Sequence, residues 1–421
     1  MKFFVISEGG DGAGLALRLQ DEGHDVRIWF RDGEAANRCK GLVKEDEGFE
    51  FRVDHDTVIV ADCTGSGIIC DSYRDAGNPV LGGSAIADKL ENDREFATRV
   101  FKDAGVETPK TKFFDDWEEA RAFVETSEAK LVFKPEGELS GVVPSYVSSD
   151  TEDMLEMLEF YKSQQARTVP AFALQEFIEG TCVSSEAWFC GGNFIMPFNH
   201  TIERKQLMNG DLGPSGGCTG NVVWACDSCE SCPICIATLW PLEEFLRSIH
   251  YVGPIDVNAV VADNGIFALE FTPRFGYDAT PTLLCALLAT PVGIFLDSVA
   301  RGVCREMPLF PGFAAGVRVS VPPWPTEKFP GPEGLPLRGI KNFDKFYPYD
   351  VMKVEDSFLT SGGYGITGIA LGTGESIDEA FADAGKLAKK LKLPDKQYRT
   401  DLAEVCNKDF RKLNAFAKEH A

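Results

Sequence analysis

The chain has 421 residues, 44% of them hydrophobic, so several packed subdomains are expected in place of one core. Its formal charge of −23 argues against binding to nucleic acid or to an anionic membrane, because phosphate contacts need clustered Lys and Arg side chains. No apolar run of about 20 residues and no signal peptide is found, which predicts a cytoplasmic protein. Its 13 cysteines are then expected to be reduced thiols that pack or bind metals.

Residues 1–93 predict a Rossmann-like domain. Short strands are expected at Phe3–Ile6, Val26–Phe30, Thr57–Ala61 and Pro79–Gly82. A glycine turn that includes Gly9 and Gly10 follows the first strand, and its backbone could approach a phosphate at a helix N-terminus. No carboxylate closes the second strand, since Arg31 comes next. Nucleotide binding, a structural turn and contact with a phosphorylated substrate all stay open for this turn.

Residues 94–305 predict a second domain with a small lid subdomain at about 112–180. A helix is expected at Ala85–Asp103, leading into this domain. The lid is expected to have strands at Lys112–Phe114, Leu131–Lys134 and Leu174–Phe177 and a helix at Trp117–Thr126. Antiparallel strands are expected within Glu186–Phe198 and Val252–Phe271, with helices at Leu239–Ile249 and Thr280–Ala300. Proline and glycine punctuate Pro308–Pro336, which predicts a linker. Residues 306–421 then form a small α+β domain, with a strand at Tyr364–Leu371 and a helix at Ile377–Lys390. The fold class is therefore α/β and α+β.

Four cysteines recur at every third position, at Cys226, Cys229, Cys232 and Cys235. Zinc knuckles normally separate their cysteine pairs by a longer spacer, and the ferredoxin run is C-x2-C-x2-C-x3-C, so neither pattern fits fully. An ideal helix would spread the four side chains over half its circumference, so joint capture of a metal requires a loop. A structural zinc or iron–sulfur site and a set of free or reversibly oxidised thiols both stay open.

The segment Ile255–Gly276 reads as a hairpin whose polar residues share one face. Side chains alternate along a strand with period two, so Glu270, Thr272 and Arg274 project together, near Asn258 on the neighbouring strand. Carboxylate, amide and hydroxyl oxygens suit Mg²⁺, and an arginine beside them can hold a phosphate. The segment predicts a magnesium site, with a surface salt bridge between Glu270 and Arg274 as the alternative.

Four motifs and the C-terminal segment together resemble phosphoribosylamine–glycine ligase, also called glycinamide ribonucleotide synthetase, of the ATP-grasp superfamily. The motifs are FKPEG at Phe133–Gly137, QEFIEG at Gln175–Gly180, GDLGPSGGCTG at Gly210–Gly220 and LEFTPRFG at Leu269–Gly276. The closing phrase at Gln397–Leu402 also matches that family. The resemblance covers most of the chain.

The resemblance implies an ATP-dependent ligase of de novo purine biosynthesis that uses Mg²⁺ or Mn²⁺. ATP would activate a glycine-like carboxylate as an acyl phosphate, and a phosphoribosylamine-like amine would attack it, giving an amide, ADP and phosphate. Such chemistry needs no side-chain nucleophile. The expected partners are these small molecules alone, without nucleic acid or membrane, and the expected assembly is a monomer or homodimer.

The resemblance also assigns residues to roles. Those expected to contact ATP are Arg94, Lys134, Glu176, Phe177, Ile178 and Glu186. Among them Lys134 would reach the phosphates, Glu176–Ile178 would read the adenine edge, and Glu186 would meet the ribose hydroxyls, unless it is a solvated strand carboxylate. Lys205, Asp211 and Arg274 would be catalytic. The loop residues Gly213, Pro214, Ser215, Gly216 and Gly217 would bind substrate, with a plain surface turn as the alternative.

Several positions depart from the family pattern. Thr272 replaces an asparagine at the metal site, the N-terminal GGREHA becomes GGDGAG, and Tyr277 to Ala279 replace DPE. The lysine-bearing flap after Lys134 is replaced by Gly137–Val143. These changes affect the substrate loops more than the ATP site. A related ligase that joins another amine to another amino acid, or that acts on a modified nucleotide, therefore stays open, as does a non-catalytic nucleotide-binding protein.

Overall fold

The structure is a computed structural model that describes residues 1–33, 37–45, 53–136, 143–164, 171–226, 228–326 and 329–420. All of the altered flap Gly137–Val143 except Val143 lies outside these residues. The strands in the described ranges form sheets of five, eight, three and four strands. The mixed α/β and α+β class is thereby confirmed. None of the helices in these ranges is both long and apolar enough to span a bilayer.

The N-terminal sheet is parallel, in the order β3-β2-β1-β4-β5. Its strands are β1 Lys2–Ser7, β2 Asp25–Phe30, β3 Lys44–Glu45, β4 Val58–Ala61 and β5 Val80–Leu81, and its helices are α1 Ala13–Asp21 and α2 Gly67–Asp75. The predicted Rossmann-like start is confirmed. The order reverses between β1 and β4, and ligands of such sheets bind outside the carboxyl ends of the strands at this point.

The single helix predicted at Ala85–Asp103 is wrong, because the chain forms α3 Ala85–Asn92 and α4 Arg94–Asp103. Asp93 between them is extended, with φ −122° and ψ 94°, and its carboxylate accepts a hydrogen bond from the Phe96 amide at 2.8 Å. Aspartate favours such an N-cap over a helix interior because its side chain bonds nearby amides. The chain therefore turns between the two helices.

The predicted lid is an antiparallel sheet in the order β6-β9-β7-β8. Its elements are β6 Thr111–Phe114, α5 Trp117–Thr126, β7 Leu131–Pro135, β8 Tyr146–Val147, α6 Thr151–Gln164 and β9 Phe172–Glu176. Phe133 and Phe172 are buried beneath the two helices, with ring centroids 5.0 Å apart. The lid therefore has an apolar core of its own.

The central sheet has eight strands in the order β14-β13-β10-β11-β12-β15-β20-β17. Its first half comprises β10 Thr181–Cys190, β11 Phe194–Met208, β12 Leu212–Ala225, β13 Val252–Ala262 and β14 Gly265–Thr272. The helices alongside are α7 Pro233–Thr238, α8 Glu243–Ser248, α9 Ala279–Thr282 and α10 Val292–Ala300. The helix predicted at Thr280–Ala300 is interrupted, since a π-helical turn at Leu283–Leu287 ends before Pro291. The predicted hairpin Val252–Phe271 is present as β13 and β14.

The C-terminal region continues the central sheet. Its elements are β15 Phe313–Ser320, β16 Glu333–Leu337, β17 Phe346–Pro348, β18 Val351–Val354, β19 Ser357–Ser361, β20 Ile366–Gly374, α11 Ile377–Lys390 and α12 Leu402–Glu419. The linker predicted at Pro308–Pro336 is wrong, because β15 pairs with β12 and β20 inside the sheet. Hydrogen bonding therefore runs across the predicted boundary at residue 305. The strands β16, β19 and β18 form the separate three-stranded sheet.

The two faces of the central sheet differ in chemistry. On one face Phe271 of β14 stacks on Phe101 of α4, with ring centroids 3.9 Å apart, in an apolar cluster that includes Phe198. The other face carries Glu270 and Thr272, because neighbouring residues of a strand alternate between faces. The polar face is the one that the lid approaches, since the charge of Lys134 on β7 acts on Glu270.

We expect Asp93→Ala to lower the free energy of unfolding by about 1 kcal/mol, because the Phe96 amide loses its acceptor. Asp93→Asn keeps an N-capping side chain and is the matched control. Urea denaturation followed by circular dichroism measures both variants. If both variants lose the same free energy of unfolding, then the charge of Asp93 stabilises this turn and its capping hydrogen bond does not.

Candidate active site

Strand register gathers the polar residues of the site. Asn258 lies opposite Glu270, and Asp256 lies opposite Thr272. On the other side of β13, Ser184 faces Asn258. Directly paired residues share a face of the sheet, so these side chains form a continuous polar patch.

The three residues predicted to hold magnesium meet in this patch. The Asn258 Nδ2 atom donates to Thr272 Oγ1 at 3.2 Å, and Asn258 Oδ1 accepts from Ser184 Oγ at 2.8 Å. Glu270 pairs in register with Asn258, and its side chain is 40% exposed. This set of carboxylate, amide and hydroxyl oxygens fits a hard cation such as Mg²⁺.

Cations surround the carboxylate of Glu270. Burial would raise its pKa, but the charges of Lys205 and Lys134 outweigh that effect and hold the pKa below its ordinary value. Arg94 adds an ion pair, with Nη1 3.7 Å from the Glu270 carboxylate. Glu270 is therefore ionised at neutral pH within a positive cluster that could bind phosphates.

The two lysines of this cluster differ in their environments. Burial lowers the pKa of Lys134 on β7, with Glu270 opposing the shift. Enclosure in the cleft would also lower the pKa of Lys205 on β11, but Glu270 and Glu203 outweigh it and raise the pKa. Glu270 therefore acts to raise the pKa of both lysines, although the two side chains project from different sheets.

Arg274 is held rigidly beside the patch. Its Nη2 atom lies 2.9 Å from Glu91 Oε1, and its Nη1 atom donates to the Phe275 carbonyl at 2.8 Å. The guanidinium also lies over the ring of Tyr277, 4.2 Å from its centroid. Because Arg274 is buried and fully engaged, its position is set before any ligand arrives.

A cavity of about 550 Å³ adjoins Arg274 at the carboxyl ends of the N-terminal strands. Glu8 follows β1, Arg31 follows β2 and Asp62 follows β4, so each lines the cavity from the edge where parallel sheets bind ligands. Arg318 of β15 lines it from the central sheet. These residues and Asp11 were not among the predicted site residues, although Arg31 and Asp62 directly follow predicted strands and Glu8 comes two residues after one, which is a usable signal.

Two carboxyl groups in the cavity have raised pKa values. Burial and the nearby Asp11 raise the pKa of Asp62 to about 7. Burial likewise raises the pKa of Asp11. Asp62 accepts a hydrogen bond from Ser7 Oγ at 2.6 Å, and a Cβ on Gly12 would lie 2.7 Å from its carboxylate. The Gly12 position of the turn therefore requires glycine because the Asp62 side chain fills the adjacent space.

Of the two glycines predicted to bind substrate at the N-terminal turn, one lines the cavity and the other does not. Gly9 lines the cavity, so it stays a candidate for substrate contact. Gly10 is buried, and a Cβ there would lie 3.2 Å from the Asp350 carboxylate and 3.3 Å from the backbone of Tyr349. Gly10 therefore packs against the C-terminal region and does not face the cavity.

Only part of the predicted substrate loop lines the cavity. Ser215, Gly216 and Gly217 line the cavity, and the Gly216 carbonyl accepts from Arg318 at 3.1 Å. The remaining predicted residues, Gly213 and Pro214, are exposed near the tip of the hairpin between β11 and β12 and are not part of the lining.

Asp211, predicted to be catalytic, also lies at the hairpin tip. Its carboxylate is 2.7 Å from Arg399 Nη1 and 3.3 Å from Arg204 Nη1. It adopts a positive φ of 54°, which the tight turn requires. The structure therefore gives Asp211 a role in fixing the hairpin to the C-terminal region, because two arginines already hold its carboxylate.

The predicted adenine-reading segment lies where the lid joins the central sheet. The amides of Glu176 and Phe177 donate to the carbonyls of Lys110 and Lys130, at 2.9 and 2.8 Å. These two donors are therefore already used, and Ile178 follows them in the connection to β10. The Phe177 ring lies beneath the ammonium group of Lys130, 4.3 Å from its centroid.

Glu186, which was predicted to meet the ribose hydroxyls, is a buried carboxyl group. It is 1% exposed, and its Oε2 atom accepts from Thr280 Oγ1 at 3.1 Å. Burial raises its pKa to about 7. Glu186 therefore supports the turn that follows β14, and its contact with a ribose stays a prediction.

The four regularly spaced cysteines lie on the opposite side of the central sheet from Glu270. Cys226, Cys229 and Cys235 belong to the apolar cluster that contains Phe271, and Cys232 packs against it. His200 of β11 lies close to three of the four cysteines, Cys226, Cys232 and Cys235. The sequence pattern did not include this histidine.

The comparisons with known proteins agree with this architecture. Residues 92–280 match the family model of the phosphoribosylglycinamide synthetase ATP-grasp (A) domain. The chain is 27% identical over 351 residues to phosphoribosylamine–glycine ligase of Leifsonia xyli, covering 80% of this chain and 81% of the relative. It is 26% identical over 422 residues to the ligase of Streptococcus pneumoniae, covering 96% and 99%. The crystal structure of phosphoribosylamine–glycine ligase from Thermotoga maritima superimposes with a TM-score of 0.72 at 22% identity, covering 95% of this chain and all of that one.

Residues 92–280 therefore match an ATP-grasp (A) domain, and the chain resembles phosphoribosylamine–glycine ligase along nearly its whole length, as the motifs predicted. This likeness supports an ATP-dependent carboxylate–amine ligase.

We expect Glu186→Gln to stabilise the protein at pH 8 more than at pH 5. With its pKa raised to about 7, folded Glu186 holds a proton that the unfolded chain loses above its ordinary value near 4.5. As the pH rises from about 4.5 to about 7, the free energy of unfolding of the wild-type protein therefore falls by up to about 3 kcal/mol. The glutamine variant cannot ionise at this position and does not show this loss. Urea denaturation at both pH values measures the difference. A pH-independent difference would contradict the buried, protonated carboxyl.

Proposed function

We propose that this protein uses ATP to join a glycine-like carboxylate to a phosphoribosylamine-like amine, giving an amide, ADP and phosphate, as in de novo purine biosynthesis. The observation that carries the proposal is the adjacency of two sites. The positive cluster around Glu270 suits Mg²⁺ and phosphates, and the cavity of about 550 Å³ suits the two small substrates. Arg274 connects them, since it lines the cavity and follows β14, on which Glu270 lies.

The residues of the cluster have separate tasks in this proposal. Glu270, Asn258 and Thr272 would hold Mg²⁺, which when bound would neutralise phosphate charge. Lys134, Lys205 and Arg94 would bind the phosphates. Arg274 would stabilise the charge on the phosphoryl group during its transfer to the carboxylate.

The cavity supplies the groups that position the amine. Ser215, Gly216 and Gly217 form one wall, and Gly9 lies on another. Asp62, with a pKa of about 7, can bind an ammonium group when ionised or accept the proton that the attacking amine loses. We propose a cytoplasmic location and a monomer or homodimer for this enzyme, and residues 1–93, 94–305 and 306–421 as its functional units.

A second candidate is a ligase of the same chemistry with a less anionic amine. Arg31 pairs with Glu8 at 2.8 Å, and Arg274 pairs with Glu91 at 2.9 Å. Arg318 is paired with Asp278. These described arginines of the cavity lining thus already have carboxylate partners, so a substrate phosphate would have to compete for them.

The deciding experiment measures ADP release by the purified protein with Mg²⁺-ATP, glycine and freshly generated phosphoribosylamine. Panels of other amino acids and amines are tested in parallel. ADP formed only with glycine and phosphoribosylamine supports the first candidate, and ADP formed only with another pair supports the second. No substrate-dependent ADP with any pair would contradict both.

Glu270→Gln is expected to lower kcat for ADP release about 100-fold or more, because the cluster loses its carboxylate. Asp263→Asn, at the exposed turn of the same hairpin, loses the same charge far from the patch and should retain full activity. Steady-state kinetics with the best substrate pair compares the two variants. Near-normal activity of Glu270→Gln would remove Glu270 from the metal site.

Asp62→Asn is expected to abolish a rise in kcat/KM between about pH 6 and pH 8 that the wild-type enzyme shows as Asp62 ionises. The direction follows from the raised pKa of about 7, below which the carboxyl is neutral. Asp25→Asn, on the same sheet but outside this cavity, is the control. A pH profile that is unchanged in Asp62→Asn would exclude this carboxyl from amine binding.

A further inference from the structure

His200 and three cysteines converge behind the central sheet in an arrangement that the proposed reaction does not use. The ligand atoms of His200, Cys226, Cys232 and Cys235 all lie within 4.8 Å of one another. His200 Nε2 is 3.5 Å from Cys232 Sγ and 3.7 Å from Cys235 Sγ. Cys235 Sγ is 3.8 Å from Cys226 Sγ.

Three of these separations match the edges of a tetrahedral zinc site. With zinc–sulfur bonds of about 2.3 Å and zinc–nitrogen bonds of about 2.0–2.1 Å, a tetrahedron separates two sulfurs by about 3.8 Å and sulfur from nitrogen by about 3.5 Å. The three distances agree with these edges to within about 0.2 Å, the tolerance expected of a genuine site.

Backbone structure brings the four residues together. His200 pairs with Trp224 in the register of β11 and β12. Cys226 continues this pairing, since its amide donates to the Phe198 carbonyl at 2.8 Å. Because alternate residues share a face, Cys226 lies on the same side of the sheet as His200. A turn then carries Cys232 and Cys235 back over this face, with Pro233 starting α7 between them.

The orientation of His200 favours metal binding. Its Nδ1 atom is 2.8 Å from Ser185 Oγ, and both residues are buried. A hydrogen bond from Nδ1–H to this hydroxyl leaves the Nε2 lone pair directed at the thiols. Metal-binding histidines are commonly fixed by such a bond at their other nitrogen.

Three thiols that converge at one point can all bind a single divalent cation, because metal-bound thiols are deprotonated and the cation neutralises their charge.

Cys229 is the cysteine that the geometry leaves out. Its Sγ atom donates to the Cys226 carbonyl at 3.0 Å and accepts from the Phe198 amide at 3.2 Å. The structure thus replaces Cys229 with His200 in the ligand set predicted from the cysteine spacing alone. Cys229 remains a neighbour that shapes the turn.

We propose that His200, Cys226, Cys232 and Cys235 bind a zinc ion in a closed structural site. All four positions of the tetrahedron are filled by protein, so the ion has no open position for catalysis. It would fasten the turn and α7 to the back of the strands that carry Glu270 and Asn258. Cys226 and Cys235 pack in the same apolar cluster as Phe271, the immediate neighbour of Glu270.

The first test is metal analysis of the full-length protein purified without chelators, by inductively coupled plasma mass spectrometry. About one zinc per chain is expected, together with absorption typical of tetrahedral thiolate coordination after replacement by Co²⁺. Protein without metal that also fails to bind added Zn²⁺ or Co²⁺ under reducing conditions would overturn the proposal. Iron with sulfide, or a disulfide between these cysteines in freshly reduced protein, would overturn it as well.

Variants identify the ligands. Cys232→Ser and His200→Gln should lose most of the bound zinc, whereas Cys229→Ser, the matched control on the same turn, should keep it. Ser185→Ala should weaken zinc affinity about 10- to 100-fold by freeing the imidazole. Zinc retained in His200→Gln and lost in Cys229→Ser would overturn this ligand set.

A measurement on the unaltered protein separates ligand loss from misfolding. Competition with a chromogenic zinc chelator gives the affinity directly, and circular dichroism follows the fold as the metal leaves. We expect a lower melting temperature after removal and recovery on adding Zn²⁺. A melting temperature that does not respond to removal and return of zinc would overturn the structural role.

Discussion

Compensation of the charge on a half-buried carboxylate holds together one face of the central sheet. A carboxylate that is partly shielded from water is costly unless cations or hydrogen bonds compensate it. Glu270 meets this requirement through Lys134, Lys205 and Arg94, which come from three different parts of the chain. Arg94 forms an ion pair with this carboxylate, and the charges of the two lysines act on it, so the lid, α4 and the central sheet interact electrostatically at Glu270.

Two more carboxyl groups on this face respond differently, because burial outweighs the nearby charges. Glu186 and Asp256 are buried on neighbouring strands, and burial raises the pKa of both. A raised pKa means that these two carboxyl groups lose their protons less readily than Glu270 does. Of the three carboxyl groups on the polar face, Glu270 is therefore the one that ionises most readily.

The polar cleft and the cluster of cysteines with His200 lie on opposite faces of the same sheet. Glu270 points to the cleft, while Phe271 points to the apolar cluster that includes Cys226 and Cys235. A rigid support behind a strand restricts the motion of residues in front of it, because strand neighbours share a backbone. A metal site behind the sheet would thus affect the front through packing and not through charge.

Local order along the chain is enough to predict the glycine turn after β1, the hairpin carrying Asn258 and Glu270, and the motifs that resemble those of ATP-grasp enzymes. Period-two alternation and turn chemistry act between near neighbours, so they are readable without coordinates. Tertiary structure alone decided that β15 lies inside the sheet despite its proline-rich flanks, that Glu186 is buried, and that Asp62 and Arg318 share a cavity. It also decided that His200, and not Cys229, completes the cysteine cluster. These outcomes depend on which strands pair and which surfaces are covered, and such contacts join residues far apart in the chain.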